Sequence, residues 1–262
     1  SNVLHGMLNL SNHCSSFDVN IGCSGYVYGL WLAQMMVNSG NCSNVLLVTS
    51  DTMSKNVNKR DRSTAPLFGD AASASLVGVS QSSSKSYYSL YTDGKGSEYI
   101  KIPAGGYRMP SVNNSFEEIQ DHDGNWRSEL DLYMDGFEVF NFTKKKVPKA
   151  VENILDYSGF SKEDIDYFIF HQANKYILST IAKRLKIPLE KVPLETVSHY
   201  GNQSSSSIPC TINGYLQESL KGSKTLLLSG FGVGLSWACC IIETQEIYCP
   251  GVTVYNLGEK NG

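Results

Sequence analysis

A single order of structural signals occurs twice along this chain, and its first copy lies in the first 80 residues. A glycine-containing turn at Gly22-Cys23 comes before an apolar helix predicted over residues 26–38. The run of apolar residues at 45–49 then predicts a buried strand, and the small-residue segment 68–78 predicts a tight turn that leads into another strand. Helices and strands thus alternate, as in an α/β domain.

The second copy follows the same order near the end of the chain. The turn at Gly201-Asn202 comes before a helix predicted over 210–220, which is followed by a strand at 226–229. A glycine-rich turn and a last strand then occupy 230–242. This repetition predicts two related α/β halves in which the two turns begin equivalent helices.

The segment between the two copies adds further regular elements. Helices are predicted over 137–157 and 172–185, with a strand at 164–170 between them. We place the division near residue 95, which predicts one half at 1–95 and a second half at 96–262.

Composition argues against several functional classes. The 22 Lys and Arg residues are outnumbered by 25 Asp and Glu, so no positive field favours nucleic acid. The longest apolar runs are strand-sized, well below the ~18 residues of a membrane span. Seven cysteines without paired CxxC spacing or His/Cys clusters indicate a reducing, cytosolic compartment and predict no metal site.

Cys23 is the first candidate for chemistry. It lies in "FDVNIGCSGY" at the predicted start of a helix, where exposed N–H groups and the helix dipole are expected to lower the pKa of its thiol. The alternative is a buried structural thiol, which is the commoner role of free cysteine and fits the other six.

His171 and Asn202 are the second and third candidates. His171 ends the predicted strand "YFIF", and residues at the carboxyl ends of strands in α/β sheets line the ligand crevice. Asn202 lies in the turn "HYGNQSSSS", where its amide could donate to a developing oxyanion or simply cap a helix. Each residue alone has an ordinary structural explanation, but all three in turns between regular elements form a more specific pattern.

Papain-like proteases also carry Cys, His and Asn in this order, so they form a competing class. Their local cysteine signature C-G-[SA]-C-[WY] is missing here, and the repeated α/β order does not suit their fold.

Six stretches together resemble the β-ketoacyl-acyl carrier protein synthase III family of thiolase-fold condensing enzymes. They are "FDVNIGCSGYVYGLWLA", "DRSTAPLFGDAASASLV", "DGFEVFNFTKKKVPKAVE", "IDYFIFHQAN", "HYGNQSSSSIP" and "GFGVGLSWA", spread over residues 17–238. The resemblance implies two related halves packed as an αβαβα layered architecture. The N-terminal half is expected to be incomplete, because the family's opening strands and helices have no counterpart before Ser1.

The resemblance also implies roles for the three candidates. Cys23 would take an acyl group from acyl-coenzyme A, and His171 and Asn202 would donate hydrogen bonds to the thioester oxygen of malonyl-acyl carrier protein as carbon dioxide leaves. The backbone N–H groups of Cys23 and Val233 would form a second oxyanion hole, although a positive φ would strain the valine. No metal or redox cofactor is implied.

Further family positions map onto binding residues. Arg62 corresponds to a position near the coenzyme A nucleotide, Asn174 to one that lines the pantetheine tunnel, and Phe231 to the substrate site. For carrier docking the candidates are Lys175, beside a tyrosine that replaces the family's basic residue, and Lys144 and Lys145; the last two could equally be a solvated helix face.

The resemblance implies a cytoplasmic homodimer that starts fatty acid synthesis, and it leaves two alternatives open. One is a relative in a secondary pathway that uses the same triad, and the other is a noncatalytic fragment. Residues 244–262 run past the family's usual end and receive no predicted role.

Overall fold

The computed structural model describes residues 1–80 and 85–255 of the chain. Six helices are defined within these residues: α1 Asn2–Met7, α2 Gly25–Asn38, α3 Gly136–Ser158, α4 Lys175–Leu185, α5 Thr196–Tyr200 and α6 Ser207–Tyr215. The strands are β1 Asn44–Asp51, β2 Ala71–Gly78, β3 Ser86–Thr92, β4 Ile100–Lys101, β5 Ile119–Gln120, β6 Trp126–Arg127, β7 Tyr133–Met134, β8 Tyr167–Phe170, β9 Lys224–Gly232 and β10 Ser236–Thr244.

The larger sheet has four strands in the order β3-β10-β9-β8. The pair β8 and β9 is parallel, and β10 runs antiparallel to both β9 and β3. The parallel pairing brings the carboxyl ends of β8 and β9 to the same edge, so His171 follows β8 close to the end of β9.

Both faces of this sheet are buried, because side chains along each strand alternate between two apolar clusters. Phe168 and Phe170 of β8 pack with α3 and α4 on one face. Ile169 packs on the opposite face, against α2 and α6. Burial on both sides explains why these strands read as continuous apolar runs in the sequence.

The second sheet consists of β1 and β2, which pair antiparallel from Asn44↔Gly78 to Asp51↔Ala71. Leu47 and Val77 on its inner face pack onto the cluster that contains α2 and α6. The two helices therefore lie between the sheets, and the described residues form four layers. The outer face of the small sheet leaves Leu46 and Leu76 exposed.

Several predicted bounds need correction. The helix predicted over 210–220 is α6, which begins at Ser207 and ends at Tyr215. Pro209 fits within its first turn, where a backbone N–H has no helical partner. The helix predicted from 172 begins only after Asn174, whose side chain caps it by accepting from the Ile177 N–H at 2.8 Å.

The division near residue 95 remains a prediction, but one strand before it belongs to the larger sheet. β3 pairs with β10 along its full length, from Ser86↔Ile242 to Thr92↔Ser236. Of the tail 244–262, residues 256–262 lie outside the described residues, while Ile247 and Cys249 pack against the cluster around α2 and α6. In the described part of the chain, no helix combines the length and apolarity that crossing a bilayer requires.

Candidate active site

Cys23 lies at the start of α2, directly before the N-cap residue Ser24. The glycine-rich end of β9 packs against this turn. A Cβ atom added to Gly232 would lie 2.7 Å from the Cys23 Cβ and 2.8 Å from its Sγ, and one added to Gly230 would lie 2.8 Å from the Ser24 Cα. Only glycine leaves room for the cysteine side chain at these positions.

Val233 lies beside the nucleophile candidate as the family resemblance implies. Its backbone N–H and that of Cys23 both hydrogen-bond to the cysteine sulfur, which lowers the thiol pKa. The positive φ of this turn belongs to Gly234, at 132°, so the valine carries no left-handed strain. Its side chain instead occupies the space that a Cβ on Gly22 would need, at 2.4 Å.

His171 follows β8, and its backbone N–H donates to the Ser229 carbonyl of β9 at 2.8 Å. The ring is buried, with its edge toward Phe231 at a centroid distance of 5.4 Å. Its Nδ1 lies 2.7 Å from the Ser207 hydroxyl. Burial lowers the pKa of His171 to about 4, and a hydrogen bond with the Ser204 backbone opposes this shift. The ring is therefore neutral near pH 7.

Asn202 is held by the first half of the chain. Its backbone N–H donates to the Leu67 carbonyl at 2.8 Å, and its carbonyl accepts from the Gly69 N–H at 3.0 Å. The side-chain oxygen accepts from the Ser204 N–H at 2.9 Å. Because a backbone N–H can only donate, this bond assigns the oxygen of the amide and leaves its NH₂ group as a donor for a ligand.

Ser204 connects the three predicted residues, and the sequence analysis did not identify it. Its hydroxyl donates to the Cys23 Sγ at 3.7 Å, its N–H donates to Asn202, and its backbone bonds to the His171 ring. Its φ of 48° is unusual for a residue with a side chain, and such strain is concentrated at functional sites. Cys23, His171 and Asn202 therefore meet around one serine.

The neighbouring serines were missed as well, and each has a different partner. Ser205 donates through its N–H to Asp51 at 3.1 Å, and Ser206 donates to the Thr49 carbonyl at 3.1 Å. Ser207 contacts His171. A run of four buried serines at the start of an apolar helix was the available signal, since isolated polar side chains are seldom buried there without a partner.

The expected lowering of the Cys23 pKa is wrong. Burial raises the pKa of this thiol, and the negative charge of Asp51 acts in the same direction. The Ser204 hydroxyl and the Val233 N–H oppose both effects without outweighing them. The resting side chain is a thiol, so its proton must leave when the sulfur attacks a substrate.

Of the predicted binding residues, Phe231 is buried with its ring centre 5.4 Å from that of His171. Arg62 is exposed, and its backbone N–H donates to the Asn125 side chain at 3.1 Å. Asn174 caps α4 through its oxygen, while its NH₂ group has no protein partner among residues 1–80 and 85–255. These predicted roles remain predictions.

The three lysine candidates are exposed on α3 and α4. Lys144 lies 5.9 Å from the centre of the Phe140 ring, which stacks on Tyr176 at 5.4 Å. Lys175 is the chain neighbour of that tyrosine, whereas Lys145 projects from the next position of α3. Within the described ranges none of the three forms an ion pair, which leaves a basic surface flanked by a stacked aromatic pair.

No group of three or more His, Cys, Asp or Glu side chains within 1–80 and 85–255 is arranged to hold a metal ion. The donors assembled at the site are instead a thiol, a neutral imidazole, a carboxamide and backbone N–H groups. Such a set can form a covalent acyl intermediate and stabilise an oxyanion.

Comparison with known proteins identifies the family. The profile for 3-oxoacyl-[acyl-carrier-protein (ACP)] synthase III matches residues 17–94, and that for its C-terminal part matches 155–244. The β-ketoacyl-[acyl-carrier-protein] synthase III of Caldanaerobacter subterraneus subsp. tengcongensis is 37% identical over 236 residues, which cover 89% of this chain and 68% of that protein.

Solved structures agree with this match. A crystal structure of 3-oxoacyl-(acyl-carrier-protein) synthase III has a TM-score of 0.89 at 39% identity and covers 92% of this chain and 72% of its own. A 3-oxoacyl-(acyl-carrier protein) synthase from Burkholderia xenovorans LB400 has a TM-score of 0.86 at 38% identity, covering 94% and 69%. The chain therefore belongs to the β-ketoacyl-acyl carrier protein synthase III family and has the thiolase fold of its condensing enzymes.

Proposed function

We propose that this protein transfers an acyl group from acyl-coenzyme A to Cys23 and condenses it with malonyl-acyl carrier protein, the reaction that starts fatty acid synthesis. The observation that carries the proposal is the meeting of Cys23, His171 and Asn202 around Ser204. Family membership supports the same reaction class.

In the first step the Cys23 sulfur attacks the thioester carbonyl carbon of acyl-coenzyme A. The bond between that carbon and the coenzyme A sulfur breaks, and the coenzyme A thiol leaves with the proton that Cys23 gives up. The N–H groups of Cys23 and Val233, which already bond to the sulfur, are the proposed donors to the tetrahedral oxyanion.

In the second step malonyl-acyl carrier protein loses carbon dioxide, and the bonding electrons form an enolate. The His171 ring and the Asn202 NH₂ group are the proposed donors to its oxygen. The enolate carbon attacks the carbonyl carbon of the acyl group, the bond between that carbonyl carbon and the Cys23 sulfur breaks, and the sulfur takes up a proton from solvent. A neutral imidazole suits this role because it can donate without being a strong acid. Neither step needs a metal or a redox cofactor.

Carrier protein would dock on the basic surface of α3 and α4 formed by Lys144, Lys145 and Lys175. Acyl carrier proteins are acidic, so charge complementarity would guide their approach. Phe140 and Tyr176 add an apolar contact between the lysines. Arg62, Asn174 and Phe231 stay assigned to substrate binding, and a cytoplasmic homodimer stays the expected form of the enzyme.

The test is condensation with purified malonyl-acyl carrier protein and a series of acyl-coenzyme A substrates, followed by intact mass of the carrier. The proposal predicts a β-ketoacyl carrier product that is lost in His171→Ala and Asn202→Ala, while both variants still acquire the acyl group on Cys23. Acylation of Cys23 without any carrier product would instead favour the secondary-pathway alternative with another acceptor.

A further inference from the structure

Ser207 begins α6 and is completely buried beneath the candidate active site. Its hydroxyl oxygen lies 2.7 Å from the His171 Nδ1 and 3.2 Å from the backbone nitrogen of Gln172. His171 is only 2% exposed and Gln172 is fully buried, so water does not compete for these bonds.

The proton positions follow from what each group can do. The Gln172 N–H can only donate, so it occupies one lone pair of the Ser207 oxygen. If Nδ1–H also donated to that oxygen, the serine proton would lack an acceptor within 1–80 and 85–255. If the serine hydroxyl donates to Nδ1, every group is satisfied and the ring proton lies on Nε2.

Because a buried hydroxyl without an acceptor is costly, the arrangement with the proton on Nε2 is more populated than the other by about 5- to 150-fold. The choice matters because burial holds His171 neutral, with a pKa of about 4, so that the ring carries one proton near pH 7. A hydrogen bond between the ring and the Ser204 backbone opposes this lowering of the pKa without reversing it.

We propose that Ser207 is a positioning residue that holds His171 in the tautomer with its proton on Nε2 and so presents an N–H donor to the malonyl thioester oxygen. The inference rests on the proposed function for that second step, whereas the tautomer itself does not. With the opposite tautomer, the imidazole lone pair would face the developing enolate and repel it. Ser207 itself does not touch the substrate.

The direct test is nitrogen NMR of the protein labelled with ¹⁵N-histidine, with the His171 signals assigned by their absence in His171→Gln. The proposal predicts a protonated Nε2 and an unprotonated Nδ1 in the wild type. Ser207→Ala should produce a mixture of tautomers or the Nδ1–H form. A wild-type ring with its proton on Nδ1 would overturn the proposal, and so would an Nε2–H ring that persists in Ser207→Ala. The NMR experiment tests the tautomer independently of the proposed reaction, so it remains informative if the protein shows no condensing activity.

The kinetic test separates the two steps. Ser207→Ala should slow decarboxylation of malonyl-acyl carrier protein by at least about tenfold, while Cys23 acylation by acyl-coenzyme A stays within about twofold. Ser207→Thr keeps the hydroxyl and should restore part of the rate. Ser206→Ala is the matched control, because that buried serine bonds to Thr49 rather than to His171. Equal slowing of both steps, or equal loss in the control, would contradict a positioning role.

Discussion

The Cα of Gly232 lies so close to Cys23 that an added Cβ would be 2.8 Å from its sulfur. This contact joins the glycine turn of the second half to the nucleophile of the first. It also contributes to the burial that raises the pKa of the Cys23 thiol.

Gly232→Ala is therefore expected to displace the Cys23 side chain. The rate of acylation should fall by at least about 100-fold, since small displacements of a reacting group carry costs of this size. Rapid-quench sampling followed by intact-mass analysis measures the rate of acyl transfer to Cys23. Gly94→Ala is the control, because a Cβ at Gly94 meets nothing within 4 Å. Acylation of Gly232→Ala at the control's rate would refute the packing explanation.

Gly69 provides a test of how Asn202 is held. A Cβ at Gly69 would lie 1.9 Å from the backbone oxygen of Tyr200, which no side-chain rotation can relieve. Gly69→Ala should lower the free energy of unfolding by at least about 2 kcal/mol. Denaturant titration against Gly222→Ala, whose site is open, gives the comparison. Equal stability of the two variants would show that the backbone at Tyr200 can shift to accommodate the added Cβ at little cost in free energy.

Burial of His171 predicts a specific dependence of stability on pH. The pKa of His171 is about 4 in the folded protein and near 6.5 in the unfolded chain, so the unfolded state binds the proton first as the pH falls. The stability present above pH ~6.5 is lost progressively between pH ~6.5 and ~4. At pH 5 the loss amounts to about 2 kcal/mol.

His171→Gln removes this group and should flatten the pH dependence by that amount. Urea titrations at pH 7.5 and pH 5 give the loss of unfolding free energy between the two pH values for each protein. An equal loss in the wild type and the variant would mean that the His171 ring is already charged at pH 5 in the folded state.

The basic surface predicts an effect confined to the carrier substrate. Combining Lys144→Glu with Lys175→Glu should raise KM for malonyl-acyl carrier protein about tenfold, because reversed charges repel an acidic partner. Acylation by acyl-coenzyme A should not change. Lys221→Glu is a suitable control, since Lys221 precedes the opposite end of β9 from the glycine turn. An unchanged KM in the double variant would show that the carrier protein docks on a different surface.

Local patterns predicted the main regular elements and singled out three candidate residues that the structure brings together. The run of apolar residues around Leu226 predicts a buried strand, and β9 occupies that place. Cys23, His171 and Asn202 stood out because each lies in a turn beside a regular element. The resemblance to the family then implied their roles.

Properties that depend on distant contacts could not be predicted in this way. Burial raises the pKa of Cys23, and one of the residues packed against its sulfur, Gly232, lies 209 residues further on. The roles of Ser204 and Ser207 depend on partners that are distant in sequence: Cys23 in the other half, 181 residues away, and His171 in the same half, 36 residues away. A run of serines in a sequence does not show which of them meets which partner.

The central claim is that Cys23 is the acyl acceptor, and intact mass of the protein after incubation with acetyl- and longer acyl-coenzyme A tests it most directly. A mass increase equal to the acyl group, present in the wild type and absent in Cys23→Ala, is the predicted result, and the best substrate reveals the preferred chain length. No increase with any thioester, or an equal increase in Cys23→Ala, would contradict the claim; the former would favour the noncatalytic alternative.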